Sequence, residues 1–176
     1  MRLLVMELKF KGNCRAYAEQ LIRVPRMREI FTEGYEYRGR MDPKKVEGHR
    51  YFWWADSVLD ALPEPEPNTL SIVYVSKNLI DIVAGRIGGR RRGNRCLVTN
   101  YNDVTSEYMR PDDTDLISTA MEELGHALGV DTHHMNPEIP CAMQGKLRNT
   151  PDFESVEDVG YCDGCWESIQ STLSSS

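Results

Sequence analysis

The sequence EELGHALG, residues 122–129, lies at the end of the segment that decides the fold. Apolar residues recur at helical spacing through residues 112–129, which predicts one amphipathic helix with a buried stripe. The segment begins with carboxylates, which the helix dipole favours at an N-terminus, and Asp113 or Thr114 is placed to cap it. Gly129 is a natural stop, because glycine adopts the left-handed conformation that commonly ends a helix. We therefore predict that EELGHALG forms the last turns of this helix.

Two side chains in this segment can bind one metal ion. Glu122 and His126 are four residues apart, so they lie on one face of the helix and reach a common point from consecutive turns. Chains that use this arrangement usually have histidine at both positions, with a glutamate directly after the first as the catalytic base. Here Glu122 occupies the first metal position, and Glu123 occupies the position of the base.

Histidines are concentrated at the end of the helix and just beyond it. The chain has four histidines, and His126, His133 and His134 are among them. A single histidine is most often an ordinary surface or core residue. Three so close together, beside two glutamates and followed by cysteines, favour a metal site.

A second group of potential metal ligands follows near the C-terminus. The chain has five cysteines, an odd number that argues against a disulfide framework in a chain without a secretion signal. Cys162 and Cys165 form a Cys-x-x-Cys motif, a spacing that lets both thiolates bind one ion, and Cys141 adds a third sulfur. A redox motif of this kind is expected near the start of a thioredoxin-like fold, whereas residues 162–165 lie near the end of this chain, which favours a metal site. His134 is the nearest candidate for a fourth ligand, and three cysteines with one histidine are typical of structural zinc.

Together these motifs resemble the archaemetzincins, a family of metzincin-like zinc metalloproteases. The family pattern is HExxHxxGxxHC, followed by CxM and then by CxxC. Glu123, His126 and Gly129 match the first motif in register. Residues 141–143, Cys-Ala-Met, match CxM, and residues 162–165 match CxxC at nearly the family spacing.

The resemblance is specific over residues 122–165, with three departures. Glu122 replaces the family's first metal histidine. Thr132 stands where the third histidine is expected, and a shift of one residue instead places His133 there, which we prefer because threonine is a poor zinc ligand. In that register the family's following cysteine becomes His134, and two extra residues separate it from the CxM motif.

The resemblance implies two zinc ions, one catalytic and one structural. Glu123 would be the catalytic base. Met143 would be the Met-turn, an apolar floor beneath the catalytic zinc and not a ligand. The implied ligands are Glu122, His126 and His133 for the catalytic zinc, and His134, Cys141, Cys162 and Cys165 for the structural zinc.

The implied function is hydrolysis of peptide bonds in a peptide or protein substrate, by metal-activated water with a glutamate base. Glu122 keeps the reach of a histidine, since each side chain places its ligand atom four bonds from Cα. Its carboxylate cancels one charge of the zinc, so the bound water should be less acidic than with three histidines. The open alternative is a catalytically degenerate family member that keeps only the structural zinc and acts as a binding or scaffold domain.

The implied fold is α/β (α+β): a metzincin-like zincin domain with a small twisted mixed sheet, backing helices and an active-site helix. Pro25 closes the first helix. Residues 88–95 read as a Gly- and Arg-rich hairpin loop, and the strand at 96–101 would pair with substrate as an edge strand. We predict a single domain over residues 1–172 and a disordered tail over residues 173–176. The remaining predicted elements are strands at 2–10, 70–75 and 82–87 and helices at 15–23 and 51–62.

Composition and charge limit the partners. The chain is 40% hydrophobic and 27% charged, as in ordinary globular proteins, and its net charge is −6 at pH 7. Acidic charge argues against nucleic acid and membranes as partners, so the arginines at 90–95 fit a solvated loop better than a zinc-ribbon nucleic-acid binder. No apolar run is long enough to cross a bilayer. Glu7 and Lys9 interrupt the apolar start, so we expect no signal peptide and a cytoplasmic location.

Overall fold

A computed structural model of the chain describes residues 1–102, 106–132, 139–144 and 153–175. Its strands are β1 (Arg2–Leu8), β2 (Tyr35–Arg40), β3 (Gly48–His49), β4 (Phe52–Trp54), β5 (Thr69–Val75), β6 (Asn78–Asp81), β7 (Gly85–Ile87), β8 (Gly89–Arg92), β9 (Arg95–Thr99), β10 (Tyr101–Asn102) and β11 (Glu107–Tyr108). Its helices are α1 (Cys14–Arg23), α2 (Pro25–Ile30), α3 (Ala55–Asp60), α4 (Thr114–Ala127) and α5 (Asp163–Ser174). None of these helices is both long and apolar enough to cross a membrane.

Five strands form the main sheet, in the order β2-β1-β5-β9-β8. The pairs β1–β2, β1–β5 and β5–β9 are parallel, and β8 is antiparallel to β9 at one edge. All seven residues of β5 are buried, as expected of a central strand in a sheet that is covered on both faces. The α/β fold with a mixed sheet and backing helices is therefore confirmed.

The central strands send alternate side chains into two hydrophobic cores. In β5, Ile72 and Tyr74 belong to the core that α1, α2, α4 and α5 cover, whereas Val73 and Val75 belong to the opposite core. That second core is covered by α3 and by a smaller sheet of order β3-β4-β6-β7. The main sheet is thus a middle layer, and α4 packs directly against β8 and β9.

Several predicted elements are present, and two differ in type. Asp113 caps α4 as predicted, since its side chain accepts the N–H of Asp115 at 3.0 Å. Pro25 follows α1 but also begins α2, because proline is tolerated at the first helical position, where its missing N–H has no partner. The segment 51–62 is helical only from Ala55, because β4 pairs in parallel with β6 and this tertiary pairing outweighs the helical pattern.

The largest difference concerns the Gly- and Arg-rich segment. Residues 89–92 are not a loop but the strand β8, which turns at residues 93–94 and pairs with β9. Since β9 lies between β5 and β8, the prediction that the strand at 96–101 is the edge strand is wrong. Among the described residues, β8 forms the free edge on this side of the sheet, and β2 forms the opposite edge. An edge strand accommodates consecutive arginines because every second side chain points outward, as the alternating exposure of β8 shows.

The C-terminal helix is longer than expected. Helix α5 extends through Ser174, so Leu173 and Ser174 are helical where the sequence predicted a disordered tail. Leu173 packs against the core beneath the sheet, and this apolar contact favours an ordered end.

Candidate active site and metal centre

Helix α4 ends in a Schellman motif that reverses the chain. Gly129 has a φ of +95°, in the left-handed region that favours glycine. Its N–H donates to the carbonyl of His126 at 3.3 Å, and the N–H of Val130 donates to the carbonyl of Gly125 at 3.0 Å. The predicted helix stop at Gly129 is confirmed, and the turn brings Val130 back against the last turn of the helix.

The reversed chain orients His126. Its Nδ1 atom lies 2.7 Å from the carbonyl oxygen of Val130. A carbonyl only accepts hydrogen bonds, so Nδ1 carries the proton and Nε2 carries the lone pair that binds metals. Hydrogen bonds of this kind fix the ring orientation of metal-binding histidines. His126 is half-buried, as is Glu122 one turn earlier on the same helix face. His133, the third predicted ligand, lies outside the described residues.

The predicted base, Glu123, is buried beneath the edge strand. A Cβ atom built on Gly89 would lie 2.6 Å from Cγ and 2.8 Å from Oε1 of Glu123, so only glycine lets β8 come this close to the helix. Burial, and then the negative charge of Glu122, raise the pKa of Glu123 to about 8, although Arg90 and Arg91 act to lower it. The carboxyl of Glu123 therefore lies between the edge strand and the helix that carries the predicted metal ligands Glu122 and His126.

The three C-terminal cysteines converge. The Sγ atoms of Cys141, Cys162 and Cys165 all lie within 4.8 Å of one another, and in the described part of the chain no other group of three His, Cys, Asp or Glu ligand atoms is so compact. The N–H groups of Met143 and Cys162 lie 3.4 and 3.2 Å from Sγ of Cys141, and such bonds favour its thiolate. His134, the predicted fourth ligand, lies outside the described residues.

The chemistry of this cluster fits a bound cation. All three cysteines are free of disulfides. Burial raises the pKa of Cys141 and of Cys165, and the neighbouring thiols raise both further. Two of these cysteines are buried and Cys162 is half-buried. Three thiolates side by side would repel each other, and a divalent cation would remove that repulsion by coordinating them directly. Zn²⁺ is the ion that sulfur-rich tetrahedral sites most commonly hold.

Met143, the predicted Met-turn residue, packs against helix α4. A Cβ on Gly125 would come closer than 3.0 Å to Sδ of Met143 and would lie 3.0 Å from Cε1 of Tyr161. The hydroxyl of Tyr161 donates to the carbonyl of Met121 at 2.6 Å and holds the ring in place. Met143 is fully buried and thus forms an apolar floor against the turn that precedes His126.

The arginines of β8 and β9 form ion pairs with carboxylates from neighbouring segments. This pairing differs from the solvated loop that the sequence predicted, and it ties the edge strand to the layers around it. The pairs are Arg90–Asp81 (3.1 Å), Arg91–Asp131 (3.1 Å), Arg92–Asp56 (2.7 Å) and Arg95–Glu64 (2.9 Å).

Three parts of the site were missed by sequence reasoning. They are the close approach of Gly89 to the base, the carbonyl of Val130 and the ring of Tyr161. The adjacent glycines at 88–89 were a usable signal, since glycine within a strand often marks a close approach of another group. A backbone carbonyl has no signature in the sequence, and Tyr161 reads as an ordinary core aromatic.

Solved structures with similar folds cover nearly the whole chain. An archaemetzincin from Methanopyrus kandleri has a TM-score of 0.66 at 18% identity, over 99% of this chain and 96% of that one. An archaemetzincin from Archaeoglobus fulgidus, complexed with malonate, has a TM-score of 0.60 at 16% identity, over 96% of this chain and 99% of that one. A zinc-dependent peptidase from Methanocorpusculum labreanum has a TM-score of 0.62 at 16% identity, over 94% of this chain and 99% of that one. A scan against models of protein families and a search of curated proteins both gave no match. The likeness to the solved structures establishes that this chain has the archaemetzincin fold, as its motifs predict.

Proposed function

We propose that this chain is a zinc-dependent metallopeptidase. The observation that carries the proposal is the position of Glu123, a buried carboxyl between the metal-binding helix and the free edge of β8. Hydrolysis of an extended peptide needs a base beside the path of the substrate backbone. The archaemetzincin and zinc-dependent peptidase structures with this fold support the same activity.

The proposed catalytic zinc is held by Glu122, His126 and His133. Two histidines with one carboxylate are an established catalytic set. When bound, zinc supplies a Lewis acid that polarises the scissile carbonyl and lowers the pKa of the attacking water. The proposed structural zinc is held by His134, Cys141, Cys162 and Cys165.

Glu123 is the residue that moves the proton. Its carboxylate accepts a proton from the attacking water and delivers it to the nitrogen of the leaving amine. The raised pKa of Glu123, about 8, is close to neutrality, where accepting and releasing a proton are balanced. A cation on Glu122 would remove this repulsion and attract the negative charge of Glu123, so it would lower the pKa of Glu123 and favour the ionised form that a base requires.

The free edge of β8 is the proposed platform for the substrate. An edge strand presents backbone N–H and C=O groups with which an extended peptide can pair. The absence of a side chain at Gly89 lets the strand lie directly over Glu123. A peptide on this edge therefore lies close to the base, and the scissile bond need not move far to reach it.

Zinc content and cleavage test the proposal together. Zinc per chain is measured by elemental mass spectrometry on protein purified without chelators or affinity-tag metals, and cleavage is measured on a mixed peptide library. The parent should hold two zinc ions and cleave, and Glu123→Gln should keep both ions and lose cleavage. Glu122→Ala and Cys162→Ala should each lose one ion. Unchanged cleavage by Glu123→Gln would refute the assigned base.

The second candidate function is a binding or scaffold domain that keeps only the structural zinc. Its support is that Glu122 and the one-residue displacement of His133 depart from the family's catalytic motif, whereas the Sγ atoms of Cys141, Cys162 and Cys165 converge. One zinc per chain, lost with Cys162→Ala but retained in Glu122→Ala, together with no cleavage, would select this candidate.

A further inference from the structure

A cavity of about 310 Å³ opens at the carboxyl ends of the central strands. We name it the basic cavity, because Lys9, Lys11, Arg50 and Lys77 line it. The three lysines follow the ends of β1 and β5, and the arginine lies in the turn between β3 and β4. This edge of an open α/β sheet is where such folds most often bind ligands. The aromatic residues of its wall are Tyr51, Tyr101 and Tyr108.

The four cations of the basic cavity have no carboxylate partners among the described residues. The arginines of β8 and β9, in contrast, are all paired with carboxylates. Carboxylates are not scarce, since the chain carries a net charge of −6. The cavity cations contact aromatic rings and one backbone carbonyl instead. Nζ of Lys77 lies 4.0 Å from the ring centroid of Trp53 and donates to the carbonyl of His49 at 3.1 Å. Nζ of Lys11 lies 5.0 Å from the ring centroid of Tyr108. The cavity is therefore a local region of positive charge in an acidic protein.

The fold holds these like charges together. Nζ of Lys9 lies 5.9 Å from the same Trp53 ring, and burial and then the charge of Lys9 lower the pKa of Lys77. Lys9 has a φ of +45°, a left-handed conformation that is unfavourable for a residue with a side chain. The N–H of Lys11 donates to Oγ of Ser76 at 2.7 Å, which anchors the following segment. An anion in the cavity would relieve the repulsion between the lysines.

The basic cavity adjoins the proposed active site. Asn78 and Tyr101 line both it and a neighbouring cavity of about 260 Å³. Gly88 and Thr119 also line that neighbouring cavity. Gly88 directly precedes the glycine above the base, and Thr119 lies one helical turn before Glu123. Two adjacent cavities, which share Asn78 and Tyr101 as lining residues, therefore lie between the start of β8 and the lysines.

We propose that the basic cavity binds a carboxylate of the substrate peptide, supplied by an acidic side chain or by the C-terminus. This inference rests on the proposed peptidase function and names its substrate class, peptides with an anionic group after the cleaved bond. The anionic group is placed after the cleaved bond because a peptide that pairs antiparallel with β8 has its C-terminal part near Gly88. Ammonium and guanidinium groups donate charge-assisted hydrogen bonds to a carboxylate, which are stronger than neutral ones.

Peptide binding to the zinc-loaded Glu123→Gln protein tests this proposal, because the substrate then stays intact. Two pools of random hexapeptides differ only in Asp or Asn at the fifth position, and each pool is made with a free C-terminal carboxylate or with an amide. The anionic pools should bind about tenfold more tightly than the neutral amide pool at low salt, and the difference should shrink at high salt. The Asp/Asn and carboxylate/amide comparisons show which carboxylate is recognised.

Charge-removing variants locate the binding site. In the same Glu123→Gln background, Lys77→Met and Lys11→Met should each reduce the preference for anionic peptides by about fivefold, since methionine keeps the apolar stem but not the charge. Lys44→Met removes an exposed lysine outside the cavity and should leave the preference unchanged. Equal binding of all four pools, or a preference that persists in Lys77→Met and Lys11→Met, would overturn the proposal.

Cleavage assays separate this proposal from the peptidase function. If the parent protein cleaves all four pools equally, including the neutral amide pool, carboxylate recognition is wrong and the peptidase function stands. If anionic pools bind preferentially through the lysines but the parent cleaves none of them, the peptidase function is wrong and the anion-binding cavity stands.

Discussion

Gly129→Ala tests how the end of helix α4 is built. Two separate costs oppose this substitution. The φ of +95° at this position costs a residue with a side chain about 1 to 2 kcal/mol. The new Cβ would also come closer than 3.0 Å to Oγ1 of Thr172 and lie 3.4 Å from its Cβ and Cγ2, and overpacking of this kind costs about 1 to 3 kcal/mol. We expect Gly129→Ala to lower the free energy of unfolding by about 2 to 5 kcal/mol.

Thr172→Ala separates the steric cost from the conformational cost. In the double variant Gly129→Ala/Thr172→Ala, the hydroxyl and methyl groups that would collide with the new Cβ are absent. Only the conformational cost of about 1 to 2 kcal/mol should remain, so the two substitutions should couple favourably by about 1 to 3 kcal/mol. The double-mutant cycle also cancels the loss of the hydrogen bond from Thr172 to the carbonyl of Ser168.

Urea unfolding followed by circular dichroism measures these free energies. Zinc titration adds a functional readout, because a displaced Val130 carbonyl would release His126 and weaken zinc binding at the catalytic set by about 10- to 100-fold. A cost of Gly129→Ala below about 0.5 kcal/mol would refute the left-handed cap, since both costs exceed that value. A cost that Thr172→Ala does not reduce would refute the steric contact.

The remaining predictions concern the base and the two metal sites. Gly89→Ala should abolish cleavage at unchanged zinc content, because the new methyl group would displace Glu123; retained cleavage would contradict their contact. In metal-free protein, the free energy of unfolding should fall as the pH rises from 4.5 to about 8, because Glu123 holds its proton more tightly in the folded than in the unfolded protein. Urea midpoints measured across that pH range check this, and Glu123→Gln should flatten the fall. Cys165→Ser should lose one zinc per chain and lower the melting temperature, and a full zinc count would exclude it as a ligand. Gly125→Ala should lower the free energy of urea unfolding by about 1 to 3 kcal/mol, because the new methyl group would collide with Met143 despite the better helix propensity of alanine. A more stable variant would show that Met143 moves aside without cost.

Prediction succeeded where local interactions decide the structure. Helix α4 was predicted because its apolar stripe, its Asp113 cap and its Gly129 stop all lie within a few residues of the groups they affect. The cysteine cluster was predicted in part for the same reason, because Cys162 and Cys165 share one turn. The convergence of Cys141 on them was expected only from the resemblance to a family.

The predictions from sequence failed where contacts between residues distant in sequence determine the structure. The segment 51–62 contains a helical pattern, yet its residues 52–54 pair with β6, and the paired residues are 26 positions apart in the chain. Residues 89–92 look like a solvated loop, yet they form the edge strand because β9 offers a hydrogen-bonding partner and carboxylates from distant segments pair with the arginines.

The sequence by itself therefore determined helix α4, its capped ends and the spacing of the candidate zinc ligands, because periodicity, capping and ligand spacing are local properties. Only the tertiary structure decided that Gly89 lies over Glu123, that β8 is the free edge, and that lysines from the ends of β1 and β5 share one cavity. Those arrangements depend on strand order and on helix packing against the sheet. Strand order results from contacts between distant segments, whose burial on both faces of the sheet outweighs local preference.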